Sequence, residues 1–367
     1  MQPKSIRSIA ILSLITVSTA SFAAWKETFL TPIGAGPSEV LAVSGMQQAG
    51  YAYINGYQHA GIWDGSASSW KDLNPAGILN SYLWATSGTQ QAGSVFGYSL
   101  QSNYPQAALW NGTSASWVDL NPAGSTYSTA HAISGTQQAG FADVYGSYRA
   151  SLWSGSASSW VDLSPLGSTY SEIWGMSATQ QVGTAKIDGI SHASLWSGNS
   201  DSWVDLAPTE SRYSEALAIS GTHEVGYAFI GDNYRAELWS GNAISQIDLS
   251  PAGSTYSEAL GICGTQQVGW TFINGHNQAG TFINGHNQAG IWQGTATSWT
   301  PLPSSSGESE AHSISVQGDT TYIGGVDHGM PVIWTEQHLR AVPAPGALLS
   351  FVIGALSLRR KRKSTNA

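Results

Sequence analysis

Short runs of alternating apolar and polar residues, each closed by glycine, serine, proline or asparagine, follow one another along almost the whole chain. Alternation with a period of two predicts β-strands with one buried face, and no stretch keeps the 3.6-residue period of an amphipathic helix. Four strand types recur in a fixed order. They are typified by SEALAI at 214–219, QAGYAYI at 48–54, QHAGIW at 58–63 and WVDL at 160–163. The pattern therefore predicts an all-β protein.

The four strands form a unit that recurs seven times. Its clearest marker is SGTQQAG at 134–140, and versions of this phrase start at Ser44, Ser87, Ser134, Ser177, Ser220, Cys263 and, in a degenerate form, Ser315. The last spacing is long because TFINGHNQAG at 271–280 is duplicated at 281–290, and we expect the duplication to lengthen one hairpin. Four antiparallel strands in about 43 residues is the size of a propeller blade. Residues 24–341 are therefore predicted to form a seven-bladed β-propeller.

Tryptophan marks two positions of the repeat. The third strand ends with Trp63, Trp110, Trp153, Trp196, Trp239, Trp292 and Trp334, and the fourth begins with Trp70, Trp117, Trp160, Trp203 and Trp299, with Gln246 in unit five. The missing seventh member of the second column is Trp25, which opens an isolated strand-like segment at 25–30. We expect that segment to complete the last blade, because closing the ring in this way removes two sheet edges. Residues 336–342 are the alternative source of the strand.

Both ends of the chain carry targeting features. Residues 1–23 are typical of a secretory signal peptide, with a positive start, an apolar run and a small-x-small cleavage site. Near the other end, the mostly apolar span 346–358 precedes a basic cluster at 359–363. That span makes a helix of about 20 Å, shorter than the ~30 Å hydrocarbon core, although flanking basic side chains can cover part of the gap. We predict a short C-terminal transmembrane helix with the exported body outside, because basic residues stay cytoplasmic.

The tail at 342–367 resembles a PEP-CTERM sorting signal of Gram-negative bacteria. The resemblance rests on the short apolar span, the basic cluster and the residues Val342, Pro343, Ala344, Pro345, Arg359 and Arg360. Alanine stands where that family usually has the glutamate of Val-Pro-Glu-Pro. The resemblance implies a precursor anchored in the inner membrane until an exosortase-like enzyme removes the span and delivers the protein to the cell surface or extracellular matrix. A plain membrane anchor is the alternative interpretation.

The repeat itself resembles the extracellular HAF repeat, which is named for a His-Ala-Phe triplet. The matching phrases are HAGIW at 59–63 and HASLW at 192–196, combined with the recurrent S-x-A-x-A-I-S-G-x-Q-x-x-G. The resemblance covers about residues 38–336, although only His59 and His192 match the histidine itself. It implies an extracellular repeat protein, and the family carries no established activity.

Charge and composition exclude several function classes. The body from Ala24 to Pro345 has 7 basic and 23 acidic residues, which argues against nucleic acid, because phosphates need lysine and arginine partners. The chain has no catalytic motif, no phosphate-binding glycine loop and no metal-ligand spacing of its histidines. We therefore predict no catalytic residue, no metal ligand and no enzymatic activity. The single cysteine, Cys263, replaces a serine of the repeat and is interpreted as a small core residue.

Two sets of side chains remain as candidate ligand-binding residues. The first opens the first strand of five units and would form a partial ring at one mouth of a central channel; it comprises Glu39, Glu172, Glu215, Glu258 and Glu310. Such a ring suits Ca²⁺ or a concentration of cations, and pairing with turn amides is the competing interpretation. The second set is Trp84 and Trp174, which share one first-strand position. Exposed, they would stack on sugar rings; buried, they would belong to the core.

A further column of carboxylates follows the start of the fourth strand by two residues. It comprises Asp72, Asp119, Asp162, Asp205 and Asp248. We expect these side chains to accept hydrogen bonds from turn amides, because aspartate commonly does so close to its own position in the chain.

The function that best fits these features is an exported binding or structural module at the cell surface. A polysaccharide is the favoured ligand, because the tail type that the chain resembles is associated with exopolysaccharide-producing bacteria. One alternative is a propeller polysaccharide hydrolase or lyase, with Glu215 and Glu258 as the first suspects. Another is a structural matrix component without a specific ligand. No cofactor is predicted apart from the calcium hypothesis.

Overall fold

A computed structural model describes residues 24–97, 102–273, 276–278, 281–283, 285–305 and 307–338. The predicted signal peptide at 1–23 and the predicted sorting signal at 342–367 lie outside these residues. Within the described part of the chain, no helix has the length and apolar character needed to cross a membrane.

Seven four-stranded antiparallel sheets follow one another along the chain. The first strands of neighbouring blades contact each other around a complete circle, so the first strands are the innermost ones. This arrangement confirms the predicted seven-bladed propeller. In blades 1 to 6 the outer strand has only two residues, which leaves little free edge for pairing with another chain.

The strand bounds repeat closely from blade to blade. Blade 1 consists of Ser38–Ser44, Gln47–Ile54, Tyr57–Asp64 and Lys71–Asp72, and blade 2 of Asn80–Thr86, Gln91–Gly97, Ser102–Trp110 and Val118–Asp119. Blade 3 consists of Ser125–Ser134, Gln137–Val144, Ser147–Trp153 and Val161–Asp162, and blade 4 of Tyr170–Met176, Gln181–Ile187, Ile190–Trp196 and Val204–Asp205. Blade 5 consists of Ser211–Ser220, His223–Ile230, Asn233–Trp239 and Ile247–Asp248. Blade 6 consists of Ser254–Cys263, Gln266–Ile273, His286–Trp292 and Thr300–Pro301, and blade 7 of Ser309–Gln317, Thr320–Asp327, Met330–Gln337 and Lys26–Phe29.

A short 3-10 turn precedes the outer strand in each of blades 1 to 6. These turns span Ala67–Ser69, Ser114–Ser116, Ala157–Ser159, Ser200–Ser202, Ala243–Ser245 and Ala296–Ser298.

The N-terminal segment closes the ring, as the sequence predicts. Lys26–Phe29 pairs antiparallel with Met330–Gln337, so the first strand of the chain is the outer strand of the last blade. The Leu30 amide then donates to the carbonyl oxygen of Pro331 in the third strand at 2.8 Å. In each of the other six blades, the corresponding leucine makes the same bond to the third strand of its own blade. The alternative source of the strand, residues 336–342, is wrong, because residues 336–337 extend the third strand instead.

Trp25 does not occupy the position predicted for it. The register places Glu27 opposite Trp334, where the other blades carry the fourth-strand tryptophan or Gln246. Trp25 precedes the strand and packs on the core cluster that contains Trp334. Burial, together with the neighbouring Asp327, raises the pKa of Glu27 to about 7. Closure therefore depends on backbone pairing and on Leu30 rather than on a seventh pair of tryptophans.

One tryptophan from each blade fills the interface with the preceding blade. Trp110 of blade 2 packs with Leu73 of blade 1, and Trp63 of blade 1 packs with Leu30 and Ile333 across the closing junction. All seven third-strand tryptophans are at most 1% exposed. Burying a side chain of this size removes enough apolar surface from water to contribute on the order of 4 kcal/mol before entropy costs. These residues are core, as the sequence indicates.

A buried hydrogen bond joins neighbouring blades at six of the seven junctions. The Ala60 amide donates to Oγ of Ser81 in the next blade at 3.0 Å, and equivalent bonds recur at five further junctions. Between blades 7 and 1 the donor position is Pro331, which has no N–H. Oγ of Ser38 is buried there without a hydrogen-bond partner among the described residues. Hydrogen bonds between the first strands still cross this junction beside the apolar packing, such as that from the Gly45 amide to Oγ of Ser315 at 3.0 Å.

The duplicated decapeptide does lengthen the hairpin of blade 6. His276–Gln278 and Thr281–Ile283 pair with each other as a separate two-stranded hairpin. The second copy then supplies the third strand, because Ile273 pairs with His286. The insertion leaves the register of the blade itself intact.

Blade 5 replaces a tryptophan–serine contact by a glutamine–glutamate contact. In blade 3, Trp160 donates its Nε1–H to Oγ of Ser151 at 2.8 Å. Blade 5 has Gln246 and Glu237 at the same two positions, and Glu237 is fully buried. Burial raises the pKa of Glu237 to about 8, against the opposing effect of a hydrogen bond with Gln246. Its carboxyl group is therefore largely neutral at pH 7.

Leu30→Ala should destabilise the closed ring. Leu30 is fully buried at the junction of the first and last blades, and removing such a side chain from a core costs about 2–5 kcal/mol. Urea unfolding of the full chain measures the loss. Ile33→Ala, three residues on and 96% exposed, is the matched control and should leave the midpoint unchanged. Equal midpoints for the two variants would contradict closure through this segment.

Glu237→Gln should reduce the loss of stability with rising pH. The carboxyl group titrates near 4.3 in the unfolded chain, and its pKa is raised to about 8 in the fold. The folded state therefore holds the extra proton between these values, and the stability of the wild type falls as pH rises through that window. The variant should match the wild type at pH 4 and exceed it by roughly 4 kcal/mol at pH 8 in urea unfolding. Glu210→Gln, at an exposed site, is the control; parallel pH profiles for wild type and Glu237→Gln would refute the assignment.

Candidate functional site

The first strands of all seven blades line a central channel. Each contains a register shift at the same place, and the bulged residues are Leu41, Trp84, His131, Trp174, Leu217, Leu260 and His312. All seven line a cavity of about 210 Å³. A β-bulge changes the direction of a side chain, so the fold presents one side chain per blade to the channel.

The five predicted glutamates lie two residues before the bulge, on consecutive blades from 4 through 7 to 1. Blades 2 and 3 have Tyr82 and Thr129 at that position. Neighbouring carboxylates are close enough to interact, since Glu310 and Glu215 both raise the pKa of Glu258. Each first strand begins at the end of the blade that also carries the turn between its second and third strands. The side chains at this end, including all five glutamates, form what we call the glutamate face.

Tyrosine hydroxyls are the main hydrogen-bond donors to these glutamates. The donor–acceptor pairs are Tyr51–Glu39, Tyr170–Glu172, Tyr213–Glu215, Tyr227–Glu215 and Tyr256–Glu258. Glu310 accepts from Nδ2 of Asn287 at 2.8 Å instead. Sequence reasoning missed the tyrosines, although GSTYS recurs at 167–171 and 253–257 and marks two of them, Tyr170 and Tyr256.

Burial shifts the protonation of the glutamate face. It raises the pKa of Glu172 to about 8 and that of Glu258 to about 7, and it also raises the pKa of Glu215. Glu310 differs, because a hydrogen bond with His312 lowers its pKa despite burial. At pH 7, the carboxyl groups of blades 4 and 6 therefore have a large neutral fraction, and blade 7 carries a carboxylate.

The histidine of blade 3 is neutral. Nδ1 of His131 lies 3.1 Å from the carbonyl oxygen of Ile173 in the next blade. Burial lowers the pKa of His131 to about 3, although the hydrogen bond to Ile173 opposes this. Its contact with Oε1 of Glu172 at 3.3 Å therefore joins two neutral groups rather than an ion pair.

The histidine of blade 7 has the same backbone contact and the opposite pKa shift. Nδ1 of His312 lies 3.0 Å from the carbonyl oxygen of Val40. Burial lowers its pKa, but Glu310 and Glu39 on either side outweigh burial, so the pKa of His312 is raised. One position of the repeat therefore favours the neutral ring in blade 3 and the protonated ring in blade 7.

The structure brings Trp84 and Trp174 together around His131. Trp174 stacks on the imidazole ring with centroids 4.4 Å apart, and Trp84 meets it edge-on at 5.2 Å. Both tryptophans are partly exposed and line the channel. They are neither fully buried core residues nor an open platform on the surface.

No group of three or more histidine, cysteine, aspartate or glutamate side chains is placed to hold a metal ion in the described ranges. Tyrosine hydroxyls donate hydrogen bonds to most carboxylates of the glutamate face. The described residues of that face therefore do not form a carboxylate cluster already arranged for calcium.

The aspartates of the fourth strands bind turn amides, as predicted. Each accepts from the backbone N–H two residues further on at 2.7–2.8 Å. In four blades the other carboxylate oxygen contacts the residue at the position of the HAF histidine. These pairs are His59–Asp72, Arg149–Asp162, His192–Asp205 and Arg235–Asp248, with nitrogen–oxygen distances of 2.7–2.9 Å. The position is occupied by a structural partner of the outer strand and lies away from the channel.

No family model matches the chain, and no curated protein matches it in sequence. Solved structures with a similar fold include puromycin hydrolase, with a TM-score of 0.57 at 12% identity over 89% of this chain and 58% of that one. The chain thus spans little more than half of that enzyme. The β-propeller domain of the Trilobed protease from Pyrococcus furiosus has a TM-score of 0.51 at 9% identity, over 83% of this chain and 97% of that one. An oligogalacturonate lyase in complex with manganese has a TM-score of 0.50 at 9% identity, over 88% and 95%. These likenesses establish the propeller fold.

Trp174→Leu should cost little stability if the channel tryptophans are not core residues. Leu41, Leu217 and Leu260 occupy this position in three other blades, so the fold accepts leucine there. We expect a loss of about 1 kcal/mol, the value of the aromatic contact with His131. Trp153→Leu, at a fully buried interface position, should cost several times more in the same urea titration. Equal losses would make Trp174 a core residue.

Proposed function

We propose that this chain is an exported binding module that recognises a polysaccharide with its glutamate face. The observation that carries the proposal is two series of contacting aromatic rings on that face, one on blades 3 and 4 and the other on blades 5 and 6. The contacting pairs are Tyr127–Tyr148, Tyr148–Tyr170, Tyr213–Tyr227, Tyr227–Tyr234, Tyr234–Tyr256 and Tyr256–Trp270, with centroids 4.8–5.9 Å apart. All of these rings are partly exposed. Aromatic faces suit the apolar faces of pyranose rings.

Charge narrows the class of polysaccharide. The body is strongly acidic, and the glutamates of the face are acceptors for hydroxyl donors. A neutral sugar chain supplies many hydroxyl donors and no negative charge. A uronate polymer would be repelled by the acidic body. The proposal is therefore a neutral polysaccharide as ligand.

The targeting features support a surface location for this module. A signal peptide at 1–23 would export the body, and a PEP-CTERM-like tail at 342–367 would hold a precursor in the inner membrane of a Gram-negative bacterium until an exosortase-like enzyme processed it. The mature module would then reside at the cell surface or in the extracellular matrix. Exported proteins of this kind meet surface polysaccharides directly.

A polysaccharide hydrolase is the second candidate, and one observation favours it. Glu258 and Glu310 lie on neighbouring blades of the glutamate face, and the pKa of the first is raised to about 7 while that of the second is lowered. A carboxyl pair with pKa values driven apart is what general acid catalysis beside an ionised partner requires. The Glu258→Gln variant separates the candidates, because it would abolish the release of reducing ends by an enzyme.

A binding module should retain neutral polysaccharides without degrading them. We expect the full chain to slow in affinity electrophoresis through gels containing a neutral glucan, with no reducing ends released. Tyr234→Ala, which removes the ring that contacts Tyr227 and Tyr256, should weaken retention about tenfold.

The matched control is Met46→Ala in the turn between the first and second strands of blade 1, at the end of the blade opposite the glutamate face. Met46 is 49% exposed. It should bind like the wild type. No retention by any neutral glucan would overturn the proposal, and released reducing ends that disappear in Glu258→Gln would establish the hydrolase.

A further inference from the structure

A second concave site lies between blades 2 and 3 on the glutamate face, away from the channel. It encloses about 550 Å³ and is lined by Tyr104, Pro105, Thr126, Tyr127, Asp143 and Tyr148. This volume falls in the ordinary range of small-molecule sites. The lining combines three aromatic rings with a single carboxylate.

The aromatic wall of this pocket is held rigid from behind. Tyr127 and Tyr148 meet edge-on with centroids 5.6 Å apart, and both pack on Phe141, which is only 3% exposed. Tyr104 of blade 2 stands opposite with 61% of its surface exposed. Rings fixed in this way lose little conformational entropy when a ligand stacks on them.

One of the two carboxylate oxygens of Asp143 accepts a hydrogen bond from a neighbouring side chain. Oδ2 accepts from Oγ1 of Thr126 at 2.9 Å. Oδ1 is buried and has no hydrogen-bond partner among the residues that the structure describes. Asp143 lines the pocket, and Oδ2 keeps a second lone pair, so a ligand hydroxyl can donate to it beside Thr126.

Asp143 departs from the pattern of the repeat. The equivalent residues of the other blades are Tyr53, Phe96, Lys186, Phe229, Phe272 and His328. The fold therefore does not need an acid at this position. An aspartate here is combined with Tyr104, Tyr127 and Tyr148 at the junction of blades 2 and 3.

We infer that this pocket is a subsite for one neutral pyranose ring of the polysaccharide. The ring would stack on the tyrosine wall, and one of its hydroxyls would donate to Oδ2 of Asp143. A uronate is disfavoured, because its carboxylate would meet Asp143 at close range. The inference deepens the proposed function and rests on it, since it names where on the glutamate face a sugar unit is held.

The test compares pocket variants with matched controls in the full chain. The probes are cellohexaose, maltohexaose and chitohexaose, with hexagalacturonate as the anionic comparison, and binding is measured by calorimetry. Tyr104→Ala and Asp143→Asn should each weaken binding of the preferred neutral probe about tenfold. Asparagine keeps an acceptor for Thr126 but loses the second carboxylate oxygen. Hexagalacturonate should bind at least tenfold more weakly than the neutral probe.

Two control variants make the same chemical change elsewhere. Tyr57→Ala removes the tyrosine at the start of the third strand of blade 1, which corresponds to Tyr104 near the start of the third strand of blade 2. Tyr57 is 44% exposed. Asp188→Asn removes a charge at an exposed hairpin turn of blade 4. Both should bind like the wild type, and all four variants should unfold at the wild-type urea midpoint.

The outcomes separate the two claims. If a neutral probe binds and the pocket variants bind it as well as the controls do, the subsite is wrong and the polysaccharide-binding face survives. If no hexasaccharide binds the wild type, the proposed function fails and the subsite with it. Stronger binding of hexagalacturonate than of the neutral probes would also overturn the assignment.

Discussion

The contact of one buried tryptophan per blade with the preceding blade is the interaction on which the structure depends. A four-stranded sheet has two faces to cover, and a ring allows each blade to bury both against its neighbours. The third-strand tryptophans fill these interfaces, and Trp63 does so only because the N-terminal segment pairs with the last blade and places Leu30 against it. Without that pairing, the interface between the first and last blades would lose part of its core, and two sheet edges would be exposed together.

The closing junction is built differently from the other six. Pro331 removes the amide that would bind Ser38, and Glu27 replaces the outer tryptophan. This junction combines apolar packing around Leu30 with hydrogen bonds between the first strands of blades 7 and 1, and the closing strand adds four backbone pairs within blade 7. A repeat protein can accept such a difference at one junction because the six regular interfaces hold the two ends of the chain close together.

The same regularity explains how the ring carries a site. A bulge in each first strand directs one residue to the channel, and the residue type there varies without disturbing the blade. His131 is neutral between Trp84 and Trp174, whereas the pKa of His312 between Glu39 and Glu310 is raised. The glutamates two positions earlier are neutralised in part by burial and bound by tyrosines. Chemistry therefore differs around the ring while the scaffold stays constant.

Much of the fold follows from the sequence because the repeat spacing counts the blades and the tryptophan columns mark the strands. The position of Trp25 was wrong, since register is set by pairing along the whole strand and by Leu30, not by matching one residue type. The glutamates could be found from their column. Their tyrosine partners could not be assigned, because Tyr227 and Tyr256 come from different strands and different blades and meet only in the folded ring. Asp143 could not be identified as a candidate site residue from the sequence, because the pocket that it lines also needs Tyr104 from the neighbouring blade.

Hydrogen exchange in the segment that closes the ring tests the central claim most directly. Mass spectrometry of the full chain can follow a peptide covering Lys26–Leu30 beside peptides from the inner strands of blades 1 to 6. The account predicts that this peptide is protected like the other blades and becomes exposed with them in one cooperative transition, because its amides pair with Met330–Gln337. Exchange of this segment as fast as that of an exposed turn, while the remaining blades stay protected, would contradict it.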